Sequence, residues 1–159
     1  MRIPCYISGP YRGPDHWVIA ENTHRAKSIA LAAWRTGFFD WVYCPHANTD
    51  GFQDACPDEV WLEGHLAVMR VIGDLGGVLI VVPNWGGSDG TRAELLEAHE
   101  RGIPAFLAKE VDVPAHPEMV RRATLLSRLE PGSSWGVQAD AESVMEFLDR
   151  RAQEKRSQR

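Results

Sequence analysis

The chain has little with which to tie itself together covalently. Its 159 residues include three cysteines, Cys5, Cys44 and Cys56, an odd and sparse set that excludes a disulfide scaffold and fits a reducing, cytoplasmic setting. Long apolar runs are missing too: the longest, Gly76 to Pro83, is far short of the roughly 20 residues a membrane helix needs and suits a buried strand. The opening MRIPCYISGPYRG lacks the apolar core and small-residue cleavage site of a secretion signal. Nor is there an excess of positive charge. Lys and Arg number 17 against 22 Asp and Glu, for a net charge of −5, which argues against duplex nucleic acid as the main partner. Cys44, His46, Cys56 and His65 lie near one another in sequence, but their spacing matches no familiar zinc pattern, so no metal is expected. No internal repeat or linker divides the chain. One domain over residues 1–150 is expected, followed by a short basic tail over 151–159.

What is present is the composition of a soluble globular protein, 44% hydrophobic and 25% charged. Along the chain, short apolar runs alternate with helical patterns. IPCYIS (residues 3–8) reads as a buried strand halted by Gly9-Pro10. Asp15 is placed to cap a helix whose apolar positions are Trp17, Ala20, Ala26, Ile29, Ala30, Ala33 and Trp34, ending at Gly37. FFDWVYCP reads as a second strand, and the polar HANTDGFQDACPD as a loop. Asp58 or Glu59 then opens a helix with Val60, Trp61, Leu62, Leu66, Met69 and Val71 as apolar positions. GVLIVVP, apolar throughout, reads as a strand covered on both faces. A further helix from Thr91, a strand at IPAFLA, and two helices over residues 116–130 and 139–151 complete the pattern. Such alternation predicts an α/β fold with a doubly wound, mostly parallel sheet, flavodoxin-like or Rossmann-like, in a single domain.

In such sheets ligands bind beyond the carboxyl ends of the strands. Three loops leave those ends: SGPYRG, CPHANTDGF and NWGGSDGTRAE. The third raises the sharpest question, because Glu94 sits early in the helix it feeds. Thr91-Arg92-Ala93-Glu94 fits a capping box, in which Glu94 reaches back to Thr91. The alternative is a carboxylate facing a ligand, with Gly86, Gly87 and Gly90 letting that ligand approach the backbone and Ser88 helping to hold an anion at the helix start. In the first loop, Tyr6 and Arg12 read either as packing and solvated charge or as groups that orient a carboxylate and hold a phosphate. In the second, His46, Asn48, Thr49 and Asp50 are hydrogen-bonding groups that line a ligand or the loop itself.

Taken in order, YISGPYRG, Asp74 ahead of GVLIVVP, and SDGTRAELLEAHERGIP resemble the nucleoside 2-deoxyribosyltransferase superfamily, which includes the deoxynucleoside 5′-monophosphate N-glycosidases and uncharacterised, often phage-borne relatives. PHANTDGF and WLEGHLAVM look most like those relatives. The likeness spans roughly the first 110 residues. It implies that Glu94 is the nucleophile, attacking the anomeric carbon of a deoxyribose to form a glycosyl-enzyme ester that another base or water resolves, with Tyr6 orienting it. Ser88, six residues before Glu94, resembles the serine that touches the 5′-phosphate in the monophosphate N-glycosidases, and Arg12 matches their first-loop arginine. Both favour a nucleotide over a nucleoside, while Asp89 keeps the nucleoside alternative open as a sugar ligand. His65 stands near where the family usually has an aspartate that helps protonate the departing base.

The expectation is therefore an enzyme, a deoxyribosyltransferase-like glycosyltransferase or nucleotide N-glycosidase. Glu94, Tyr6 and His65 would be catalytic. Ser88, Arg12, Gly9, Asp89, Gly90, His46, Asn48 and Asp50 would bind substrate. No cofactor is expected, since sugar and carboxylate supply the chemistry. The partners expected are a small nucleotide or nucleoside and further copies of the chain in a homo-oligomer, as in the family, with no membrane. The rival from another class is a non-catalytic nucleotide-sensing module on the same scaffold.

Overall fold

The computed structural model of the chain describes residues 3–52, 54–108 and 126–128. In chain order the elements are β1 (Ile3–Ser8), α1 (His16–Thr36), β2 (Phe39–Tyr43), the single turn α2 (Pro45–Asn48), α3 (Asp58–Asp74), β3 (Val78–Val81), α4 (Asp89–Glu100), β4 (Ala105–Ala108) and β5 (Leu126–Arg128). They form one sheet in the order β2-β1-β3-β4-β5. Its first four strands are parallel, and β5 runs antiparallel to β4. None of the described helices is long and apolar enough to cross a membrane.

Strand period 2 divides the core in two. Ile3, Cys5 and Ile7 of β1 and Val78 and Ile80 of β3 face Ala26, Ala30 and Ala33 of α1. Tyr6, Leu79 and Val81 face the other way, against Leu66, Met69 and Ile72 of α3 and Leu95 and Ala98 of α4. Both faces of the sheet are thus covered, which is why β1 and β3 are buried at every position of the run and not at alternate ones. The chain leaves β1 for β2 on one side and later returns to β3 on the other. Strand order therefore reverses between β1 and β3, and a crevice opens beyond their carboxyl ends.

Local signals end the elements where expected. Asp15 caps α1, its side chain accepting from the Val18 amide at 2.9 Å. Gly37 closes the same helix in the left-handed region at φ 70°. Elsewhere the fold departs from the sequence reading. The middle loop begins with the turn α2, for which Pro45 supplies a preset φ at the first helical position. Residues 126–128, expected within a helix, are a strand, because the free edge of β4 offers backbone pairing that local periodicity cannot reveal. The remainder of that expected helix, the helix over 139–151 and the tail lie outside the described residues.

Five apolar positions expected in the core are exposed: Trp17 (79%), Ala20, Trp34, Val60 and Val71. The buried stripe of α1 is instead Asn22, Thr23, Ala26, Ala30 and Ala33. Small side chains let the helix lie close to the sheet, and Asn22 is polar for a reason. Its amide donates to the carbonyls of Tyr11 and Arg12, both at 3.3 Å, tying the loop after β1 to the helix.

Candidate active site

Period 2 also places the first functional groups. Tyr6 and Ser8 are two residues apart in β1 and so project from the same face, toward α4. There the Tyr6 hydroxyl donates to Glu94 Oε1 at 2.5 Å, and the Ser8 hydroxyl donates to Glu94 Oε2. Glu94 is 6% exposed, and burial pushes its carboxyl up from the ordinary 4.5 to about 7 against the opposing pull of the Ser8 and Tyr6 hydrogen bonds. Burial, then the adjoining Glu94 charge, holds the Tyr6 phenol well above its usual range, so it stays a proton-bearing donor. Each oxygen of the ionised carboxylate keeps a lone pair beyond the one its hydroxyl partner uses. The carboxylate is anchored by two residues of β1 and borders a cavity.

Glu94 is not the helix cap. The N-cap of α4 is Ser88, whose Oγ accepts from the Thr91 amide at 3.2 Å and from Thr91 Oγ1 at 3.1 Å. The capping-box reading of Thr91 and Glu94 is corrected accordingly: the helix starts three residues earlier, leaving Glu94 in its second turn. Ser8 is the partner of Glu94 that sequence reading missed. Its signal was the spacing from Tyr6, since Ser8 is the next residue on that face at the carboxyl end of β1.

A cavity of about 900 Å³ opens over Glu94, within the size range of small-molecule sites. It gathers Glu94, His65, Ser88, Arg12, Gly9, Asp89, Gly90 and His46 into one lining. Tyr6 is fully buried beneath it. Gly9 is required by packing, since a Cβ there would stand 2.7 Å from Val82 Cγ2 where β1 and β3 end together. Gly87 and Gly90 are different. A Cβ at Gly87 would meet nothing within 4 Å, and one at Gly90 only Ser88 Oγ at 3.9 Å. The fold does not demand glycine at either place, and a side chain there would take up cavity space. With both Ser88 lone pairs engaged by Thr91, its hydroxyl hydrogen remains to be donated to a ligand.

Arg12 lines the cavity but is already engaged. Its Nε lies 3.2 and 3.1 Å from the two carboxylate oxygens of Asp58, its second guanidinium nitrogen also bonds Asp58, and Asp54 lies at 3.5 Å. Among the described residues, Arg12 is the one Lys or Arg of the lining, against Asp58, Glu59, Asp89 and Glu94. Asp89 extends into solvent and pairs with Arg92 at 3.3 Å.

His46 is 3% exposed and its Nε2 stands 2.9 Å from the Pro10 carbonyl. Burial, chiefly, pulls its pKa below the ordinary 6.5, and burial does the same to His65. Both imidazoles are therefore neutral at pH 7. The His65 ring packs edge-on against Tyr43 at 6.2 Å. Two expected ligands are not brought to the cavity. Asn48 donates to the Tyr43 hydroxyl at 3.3 Å, and Asp50 pairs with Lys27. The helical turn at Pro45–Asn48 directs His46 inward and leaves Ala47, Asn48 and Asp50 exposed, while Thr49 is half-buried and lines the cavity. No family model, curated protein or solved structure matches the chain.

Proposed function

We propose that the chain cleaves or exchanges the N-glycosidic bond of a 2′-deoxynucleoside or its 5′-monophosphate through a glycosyl ester on Glu94. The observation that carries this reading is a buried carboxylate gripped at both oxygens by Tyr6 and Ser8 at the floor of a small-molecule cavity. Structural carboxylates are seldom left there without a cation. The ionised Glu94 oxygen attacks the anomeric carbon, the bond to the base nitrogen breaks, and its electron pair leaves with the base. Water or a second base then attacks the same carbon and releases Glu94. Such a sheet, with its crevice at the strand-order reversal, suits the flavodoxin-like or Rossmann-like frame expected from the sequence.

Two features bear on a 5′-phosphate and pull in opposite directions. The start of α4, with Gly87, the Ser88 hydroxyl and Gly90, offers an anion site. Arg12 joins it only by giving up Asp58, and the acidic groups around it repel a phosphate dianion. A neutral His65 can donate a hydrogen bond to the departing base, yet it is a weaker proton source than an imidazolium. That weakness favours the second reading, a nucleotide-binding sensor without turnover.

Incubation with the four 2′-deoxynucleosides and their 5′-monophosphates, with and without a free acceptor base, tests both. Release or exchange of base, followed by chromatography, supports the enzyme. Tight binding of a nucleotide without turnover supports the sensor.

A further inference from the structure

Among the described residues, four buried side-chain atoms have no hydrogen-bond partner: Tyr11 Oη, Thr23 Oγ1, His46 Nδ1 and His65 Nε2. Three of the four belong to residues that line the cavity. Native proteins leave few such groups unpaired, because each forfeits the hydration it had in the unfolded chain. Their concentration in the lining of one cavity points to a partner that arrives with the ligand.

The chemistry of that partner follows from His46. The Pro10 carbonyl can only accept, so the His46 Nε2 at 2.9 Å from it carries the ring hydrogen. The neutral ring then presents Nδ1 as a bare lone pair, an acceptor only. Tyr11 stands beside it, its ring edge-on to the imidazole at 5.7 Å between centroids and 67° between planes. Its hydroxyl can donate or accept. The same cavity is lined by Phe52 and Trp61, whose rings lie within 19° of parallel, a surface suited to a flat ring.

We propose that Tyr11 and His46 form the recognition edge for a neutral heteroaromatic ring, one that presents an N–H donor to His46 Nδ1 and a second polar atom to the Tyr11 hydroxyl. The inference rests on the nucleoside reading of the cavity and names the residues that select the base.

Free adenine, guanine, cytosine and thymine are the probes, titrated calorimetrically into the wild-type protein; without a sugar none can be turned over. At least one base binds, Tyr11→Phe weakens it about fivefold and His46→Phe about tenfold. The thermal midpoint of ligand-free Tyr11→Phe equals or exceeds that of the wild type, because that substitution removes only an unpaired buried hydroxyl, whereas His46→Phe also breaks the bond to the Pro10 carbonyl and lies below it. The nitrogen-15 resonance of wild-type His46 Nδ1 moves on saturation with the base, a readout that survives if His46→Phe fails to fold. Unchanged affinity in Tyr11→Phe, an unmoved Nδ1 resonance, or no binding of any base overturns the proposal. Base binding without turnover of any deoxynucleoside would instead remove the proposed reaction and leave the recognition edge standing.

Discussion

Tyr6 and Glu94 are 88 positions apart, and the phenol of one donates to the carboxylate of the other at 2.5 Å. The contact joins the second half of β1 to the second turn of α4 across the point where strand order reverses. With Ser8 on the other oxygen, it fixes a carboxylate whose charge is opposed by burial and supported by two hydroxyls. The balance raises the Glu94 carboxyl to about 7, where small changes in its donors alter both its ionisation and the stability of the fold.

Glu94→Gln is expected to abolish turnover while the fold persists, and to stabilise the protein at alkaline pH. The sign follows from linkage. The folded value of about 7 lies above the ordinary 4.5, so between them the native state binds more protons than the unfolded one, and stability falls as pH rises. The stabilising contribution is fully present below about 4.5 and lost by the time pH has passed 7. The full loss is about 3 kcal/mol at most. Urea titrations at pH 5 and pH 8 should show the variant gaining on wild type only at the higher pH. Turnover near normal in the variant would remove Glu94 as nucleophile.

Ser8→Ala and Tyr6→Phe each delete a donor to the ionised carboxylate. Both should move the acidic limb of the kcat/KM profile to higher pH, lowering efficiency at pH 7 by about tenfold and recovering part of it toward pH 9. A uniform loss at every pH would mean that the hydroxyls act on something other than Glu94's ionisation.

Asp58→Asn should release Arg12 from its bidentate partner. The ratio of kcat/KM for a 5′-monophosphate over its nucleoside is expected to rise about tenfold, and Arg12→Ala in the same background should cancel the gain. An unchanged ratio in Asp58→Asn would show that Arg12 does not meet the phosphate, and Asp89 would become the better candidate for a sugar contact.

Gly90→Ala tests whether the start of α4 is shaped for a ligand. Alanine in this helical position should stabilise the free protein by up to about 1 kcal/mol, since its Cβ would approach only Ser88 Oγ at 3.9 Å. Substrate KM should nevertheless rise several-fold if the ligand packs on that backbone. Higher stability with an unaltered KM would place the ligand elsewhere in the cavity.

His65→Ala should slow release of a natural base much more than release of a base with a good leaving-group nitrogen, if His65 donates toward that base. Because burial lowers its pKa, an imidazolium would be lost below 6.5 and not at it. Equal rates for both substrates in variant and wild type would assign the proton to Asp58, Glu63, Asp74 or water.

The chain's local chemistry determined where most elements begin and end. A strand over residues 3–8, the Asp15 cap, the stop at Gly37 and the start of α3 at Asp58 depend on neighbours a few residues away, so they are legible in one dimension. Parallel pairing was legible for a similar reason, since strands separated by helices have few other ways to share a sheet. Tertiary structure decided everything that depends on distant partners. Whether Glu94 caps a helix or faces a cavity could not be read from Thr91-Arg92-Ala93-Glu94, because either role suits those four residues; Tyr6 and Ser8 settle it from the far end of the chain. Helical spacing marked Trp17 and Trp34 as core, but burial went to the face bearing Asn22 and three alanines, which the loop carbonyls and the closeness of the sheet favour. The strand at 126–128 arose from an open edge that no local pattern announces. Arg12, a free cation in the sequence, became half of an ion pair once α3 brought Asp58 to it. Hydrogen bonds and burial act at ångström range, so a residue's chemistry is set by what folding places beside it.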